Sequence, residues 1–507
     1  MNKLKGILLG TGASLVAASG VQAADLPVKA KPVEYVKVCS LYGAGFWYVP
    51  GTDTCLKIGS YIREQVEWNA GAGAAVIGLG ANDQASAGRM DRTDTSQLSI
   101  RTRAAISVDL RTQTEYGTLR SYLQGGFETN AQNGSAPKND EVYFNRGFIQ
   151  FAGLTAGRIR SFFDVLTFSP FTYEKGSRLS GDDGSKGTWG IAYTAQFGSG
   201  FSATLSLEDG GSSSQGNSAG QNSSRAHLVT DLSMTSQFGL GTTSYDNEGW
   251  KIPDIIAALR VDQAWGFAQI AAALHDASGG YYQTGGTALA SGIAVNGHPQ
   301  DKYGYAVIGG FQLNDVFGLK GDQLGIEADY TTGAAGYATM ATGPFQLYGS
   351  GNSAAFGWIT DGVFTTGSAI ELTTVWGING YAQHFWSPKW RTSLYGGYIE
   401  IDYDKSAKTM MCGAAIGGTV AAPVGVAMTA VSNCNPDFGW WQIGSRTQWN
   451  PHPDIGIGVD VLWTHINTAF AGTATLAANG ARPAGVYAIQ NEDLVTVMFR
   501  IQRNFLP

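Results

Sequence analysis

The sequence is poor in charge. Asp, Glu, Lys and Arg make up 14% of its 507 residues, against roughly a quarter in an ordinary soluble domain. Cysteine and histidine are scarce as well, at four and six residues. No CxxC and no HxxxH string occurs, so the thiols do not read as a zinc site, and neither a metal nor a cofactor is expected. A basic excess is also lacking. The formal net charge is −7, which excludes the electrostatic footprint of a nucleic-acid-binding protein. Long apolar runs are absent beyond the first two dozen residues, so no helix of about 20 apolar residues is available to cross a bilayer.

What is abundant is glycine, 70 residues, and aromatic side chains, 11% of the chain. The first residues join Lys3 and Lys5 to an apolar run and end on "VQA" at Ala23. That is the pattern of a secretory signal peptide over 1–23, with export across the inner membrane as its consequence.

Hydropathy then alternates with period two almost everywhere. In "SQLSIRTRAAISVDLRTQTEYG", Leu98, Ile100, Ala104, Ile106, Val108 and Leu110 share one face. Ser99, Arg101, Arg103, Ser107, Asp109, Arg111 and Gln113 share the other. Sixteen such strands are expected, near 54–68, 97–115, 118–128, 141–152, 154–162, 188–197, 201–208, 254–264, 267–275, 302–313, 323–332, 367–386, 390–403, 438–449, 455–467 and 493–505. Their connections alternate between tight turns and long Gly/Ser/Asn-rich loops. An all-β transmembrane antiparallel barrel over 54–507 has this layout, because in lipid only a closed barrel gives every strand's backbone a partner. Trp68, Trp376, Trp386, Trp390, Trp440, Trp441, Trp449 and Trp463 fall near strand ends, where the membrane–water boundary favours tryptophan.

If the apolar face meets outer-membrane lipid, the polar face lines a lumen too wide for side chains to fill. Strand phase places Arg63, Arg101, Arg103, Arg111, Arg120, Arg146, Arg158 and Arg160 on that face. One loop differs from the others. "SFFDVLTFSPFTYEKGSRLSGDDGSKG", 161–187, carries Phe162, Phe163, Phe168, Phe171 and Tyr173, which are poorly placed in water. Folding it into the barrel solves that problem. It would set Asp164, Glu174, Asp182 and Asp183 against the arginine wall across a constriction, where opposed charge filters ions. The six histidines are scattered and form no convincing Ser/His/Asp set, so an enzyme is not expected. "GIGVD" at 456–460 grazes a nucleotide-binding motif but lies inside an alternating strand.

Three stretches resemble the porin family of alphaproteobacteria: "PVEYVKVCSLYGAGFWYVPGTDTCLKIGSYIR" at 32–63, "AGRIRSFFD" at 156–164 and "FRIQRNF" at 499–505. The resemblance implies a sixteen-stranded homotrimeric outer-membrane barrel, a third loop that narrows each pore, and passive passage of small hydrophilic solutes and ions. A solute-selective channel for sugars or anions, of the same architecture, is the alternative. Export through an oxidising periplasm makes disulfides of the cysteines. Four cysteines can pair in three ways. Proximity in sequence favours Cys39 with Cys55 and Cys412 with Cys434, the first tying a periplasmic segment 24–53 to the first strand.

Overall fold

The computed structural model describes residues 38–68, 98–131, 138–174, 181, 187–209, 213–214, 217–218, 225, 227–233, 246–249, 251–284, 293–339, 343–348, 352–414, 426–476 and 484–505. The expected signal peptide, Asp182 and Asp183 lie outside these residues.

Sixteen long strands form one sheet: β1 (Thr54–Trp68), β2 (Leu98–Thr114), β3 (Gly117–Ala131), β4 (Lys138–Phe151), β5 (Leu154–Ile159), β6 (Thr188–Gly198), β7 (Phe201–Glu208), β8 (Asp254–Gln263), β9 (Gly266–Asp276), β10 (Tyr303–Asn314), β11 (Gln323–Thr332), β12 (Thr374–Ser387), β13 (Trp390–Asp402), β14 (Phe438–His452), β15 (Ile455–Asn467) and β16 (Glu492–Asn504). Each pairs antiparallel with the next. The last returns to the first, with Tyr61 opposite Asn504 and Trp68 opposite Val497. The sheet is therefore closed, and no edge is left to pair with another chain.

The turn chemistry is visible at two tight turns. Ala152–Gly153 and Ser199–Gly200 both have two residues at positive φ, the pattern of the type I′ hairpin turn that matches strand twist. Gly200 has a second reason to be glycine, since a Cβ there would lie 1.9 Å from the Asp262 carbonyl oxygen.

Period two resolves into an outer and an inner face. Ile106, Leu123, Phe127, Leu205, Leu259, Ile270, Ile378, Leu394 and Phe499 are exposed on the outside, while Asn379, Gln442, Thr464 and Thr496 are buried within. A bulge between β3 and β4 shifts the register after Gln124 opposite Arg146. It moves the exposed set on β4 from Val142 and Phe144 to Ile149, and so turns Arg146 inward. Aromatic residues gather in two bands. Near the turns, Trp390 stacks on Trp449 with centroids 5.9 Å apart. Toward the loops, Tyr398 meets Trp441 at 4.5 Å and Trp376 at 5.5 Å. The eight-residue step from Trp390 to Tyr398 is about 26 Å of strand, or about 20 Å along the axis at the usual tilt, close to the apolar band of such barrels. Trp440 departs from the expectation. It shares the parity of Gln442 and points inward, buried at 1% exposure.

Two strand ends fall three or more residues short of those read in the sequence. β5 stops at Ile159, because the chain leaves the wall to enter the third long loop. β12 starts at Thr374, because Glu371–Leu372 pairs instead with Gly362–Phe364 above the barrel. The long loops are also more ordered than their Gly/Ser composition implies. Gly343–Tyr348, Ser353–Ile359, Gly485–Ile489, Ala471–Leu476 and Val426–Asn433 build a five-stranded sheet. It packs through Leu347, Ala355 and Ile359 onto Val375, Ile399, Trp440 and Ile466 of the β12–β15 rim. Both disulfides form as paired by proximity, Cys39–Cys55 and Cys412–Cys434. The first joins the segment bearing Trp47–Tyr48 to β1 at the turn end. The second links helix Lys405–Ala414 to the end of strand Val426–Asn433 on the loop side.

Candidate functional site

The third long loop enters the barrel at Arg160 and crosses the inner wall. Its apolar side chains determine where it lies. Phe163, Val165, Leu166, Phe168 and Phe171 are buried against Ile256, Ala258, Ala271, Ala273, Ala306 and Ile308 of β8–β10 and Tyr381 of β12. The alanines leave room for the loop, and Phe171 stacks on Tyr381 with centroids 3.6 Å apart. The β1–β5 wall offers no such patch, because its inward positions are arginines that need water or a counter-charge.

Polar anchors follow the same path. Glu208 of β7 accepts the Phe162 N–H at 2.9 Å, and Glu327 of β11 accepts that of Leu166 at 2.9 Å. Gln269 of β9 donates to the carbonyls of Phe162 and Asp164. Ser393 of β13 donates to the Phe171 carbonyl at 2.6 Å. Asp460 of β15 collects the Tyr173 N–H at 2.6 Å, the Thr172 hydroxyl at 2.9 Å and the Tyr395 hydroxyl at 2.7 Å. Arg446 of β14 and Arg500 of β16 donate to the carbonyls of Pro170 and Tyr173. The loop thus lines the wall from β7 to β16, its end reaches Glu67 of β1, and β2–β5 face it across the lumen.

On that opposite wall the arginines share carboxylates. Arg101 and Arg103 both bond Glu128. Arg111 and Arg120 both bond Asp109, at 2.8 and 2.9 Å. Each trio keeps one net positive charge. Arg103 lies over the Tyr143 ring at 4.2 Å, and Arg120 faces Tyr122 and Phe148 at 5.2 and 5.3 Å. Arg63 donates to Gln502 at 2.8 Å. Arg146 and Arg158 sit half-buried on β4 and β5.

The loop's two described acids, Asp164 and Glu174, do not stand free in the lumen. Asp164 is enclosed and pairs with Arg225, and with Arg160 at 3.5 Å. Glu174 is buried and accepts a hydrogen bond from Thr496 at 3.0 Å. Burial first, then the neighbouring Glu67 and Asp460 carboxylates, push Glu174 up to about 10. It therefore holds its proton at neutral pH and adds no fixed negative charge to the lumen.

The sign of the pH effect follows from that shift. A carboxyl raised from 4.5 in the folded state favours folding most below 4.5, and the contribution is lost as pH climbs to about 10. Conductance of the wild type is accordingly expected to become noisier as pH passes 10. Glu174→Gln should remove that component and leave the reversal potential at pH 7 unchanged. A shifted reversal potential at pH 7 in single-channel recording would mean that Glu174 is ionised there.

Sequence reasoning missed the junction that ties the loops together. His275 at the end of β9 bonds Asp254 at 2.9 Å and lies 3.5 Å from Asp361. Tyr337 donates to Asp254 at 2.6 Å. Arg225, paired with Asp164, lies over the Tyr337 ring at 4.6 Å. His227 is buried beside His275, with ring centroids 6.0 Å apart. Only the aromatic and charged residue types hinted at this cluster, whose members come from four separate segments. The string "GNSAG" at 216–220 has the spacing of a serine nucleophile elbow. Its Asn217–Ser218 pairs with Ser213–Ser214 in a small hairpin, not in a strand-to-helix turn, so it does not build that site.

Comparisons with known proteins agree with this geometry. The family model described as Porin subfamily matches residues 25–498. Porin Omp2b of Brucella abortus (strain 2308) is 34% identical over 272 residues, covering 52% of this chain and 63% of that protein. Porin Omp2b of Brucella suis biovar 1 (strain 1330) matches to the same extent. The matched region thus spans under two thirds of the length of these curated relatives. Among solved structures, the outer membrane channel DcaP of Acinetobacter baumannii is similar in fold, with a TM-score of 0.53, 12% identity, and coverage of 90% of this chain and 99% of that chain. The matched residues include all of the closed barrel except its last few positions, together with the inward loop, and the chain belongs to the Porin subfamily, as an integral β-barrel protein of the outer membrane.

Proposed function

We propose that the protein is a passive, water-filled pore for small hydrophilic solutes and ions, and that its work is passage and not catalysis. One observation carries this reading: a single loop is fixed along β7–β16 by apolar and polar contacts, while the charged β2–β5 wall faces it. Such an arrangement narrows a lumen without filling it, and charge on the wall acts on ions in transit. The leader 1–23 is removed on export, and the described part of segment 24–53, residues 38–53, lies at the periplasmic mouth, since its disulfide and its pairing with β1 are both at the turn end. The assembly is a homotrimer in lipid, as the resemblance over 32–63 implies.

Purified, folded protein in a planar bilayer is expected to give stepwise ion conductance, with steps in groups of three. Folded protein that never conducts would end the pore reading, and single, ungrouped steps would end the trimer.

A further inference from the structure

Most lumen arginines described above have a carboxylate partner. Five cations do not. Arg63, Lys389, Arg391, Arg446 and Arg500 line one recess of about 600 Å³ beneath the loop, at the turn end of β1 and β12–β16. No Asp or Glu lines that recess, and none of the five forms an ion pair among the described residues. Arg500 lies within electrostatic reach of both Arg63 and Arg446, around Tyr173. Arg446 and Arg500 are more than nine-tenths buried, and their Nε atoms, like that of Arg391, are enclosed without an acceptor. The carboxylate within reach of Arg446 is Asp460, whose oxygens are taken by Thr172, Tyr173 and Tyr395 on the loop side.

Like charges held this close, in a partly desolvated wall, are unfavourable without an anion. A chloride balances only one of them. A polyvalent oxyanion offers several oxygens, and planar guanidinium forks bind such oxygens in pairs. The neutral lining supplies further donors, from Gln502, Asn504 and Ser169. The volume suits a phosphate or diphosphate group with its waters.

We propose that this recess is a binding site for a small polyvalent oxyanion of the phosphate type, gripped by Arg63, Arg391, Arg446 and Arg500. The proposal rests on the pore reading for its effect on current, since an occupant there fills part of the path beneath the loop. It does not rest on that reading for binding itself.

Inorganic pyrophosphate is the probe. Added to wild-type channels in potassium chloride, it is expected to lower the current saturably, beyond any effect of extra chloride at matched ionic strength. Arg391→Lys keeps the charge and loses the fork, whereas Arg63→Gln loses both. Each should raise the half-blocking concentration by about tenfold or more, the usual weight of a charged hydrogen bond. Both residues are only partly buried, and heat-modifiable migration on gels checks that the variants fold. Titration calorimetry of the detergent-solubilised protein reads the same site without conduction, and saturable heat weakened in both variants is expected. Wild-type channels that conduct yet ignore pyrophosphate, or variants that bind it as the wild type does, would overturn the site. A protein that fails to conduct but shows the calorimetric binding would overturn the pore reading alone.

Discussion

Asp460→Ala is expected to raise single-channel conductance and to make the open level fluctuate. Asp460 is fully buried, and it holds the far end of the inward loop through the Tyr173 N–H, the Thr172 hydroxyl and the Tyr395 hydroxyl. Without it three donors lose their acceptor, at a cost on the order of 1–3 kcal/mol each. The other side-chain anchors at this end are single bonds, from Ser393 to the Phe171 carbonyl, from Tyr173 to Gln448 and from Thr496 to Glu174. The hydrogen bonds from Arg446 and Arg500 go to carbonyls, and the apolar anchorage of Phe163 to Phe171 lies farther back along the loop. The residues beyond Phe171 should therefore leave the wall part of the time, while the earlier half stays docked. Tyr395→Phe removes the donor to Asp460 Oδ1 but keeps both loop bonds to Oδ2, so its effect on the loop should be smaller. The barrel itself should survive, because its closed ladder does not pass through Asp460's side chain. A folded Asp460→Ala variant with wild-type conductance would show that the loop's end is held elsewhere.

The parts of this molecule that could be read from sequence are those in which a local period reports a global position. Ile106 and Ser107 go to lipid and lumen because alternation on a strand is a two-state signal, and sixteen repetitions of it leave little choice of architecture. The inward loop was legible for a different reason. Phe162, Phe163, Phe168, Phe171 and Tyr173 are incompatible with an exposed segment, so composition alone required a partner surface. The sheet above the barrel gave no such signal. Ile359, Tyr403 and Met411 lie far apart in the chain, and they meet only because strands from three loops pair across the mouth. Trp440 was assigned to the boundary by its position in the strand, although its parity with Gln442 already pointed inward. The charge pattern was half legible. Phase placed the arginines on the inner face. Register decided that Arg103 stands opposite Glu128, and barrel closure decided that Arg63 stands beside Arg500.

That register leads to the second large effect, on ion selectivity. Arg101, Arg103 and Glu128 together carry one positive charge on the wall facing the loop. Arg103→Gln leaves a neutral pair, so the reversal potential in a salt gradient is expected to move toward the cation limit. Glu128→Gln leaves two uncompensated guanidiniums and should move it the opposite way. The double variant restores a single positive charge and should lie close to wild type. Arg120→Gln and Asp109→Asn form a matching test one step toward the turns. Arg158→Gln, on β5, is expected to move the potential in the same direction as Arg103→Gln. Each effect is local, since charge is screened within about 10 Å at 0.1 M salt, and the shifts should shrink as salt rises. The Arg101, Arg103 and Glu128 side chains are about nine-tenths enclosed, so removing one partner also costs stability, and heat-modifiable migration on gels checks that each variant folds. Opposite shifts from Arg103→Gln and Glu128→Gln are the outcome that a merely structural ion pair would not give. Losing either partner of such a pair should perturb the channel in the same direction, through lost order. Loss of a charge that faces the conducting path must instead follow its sign.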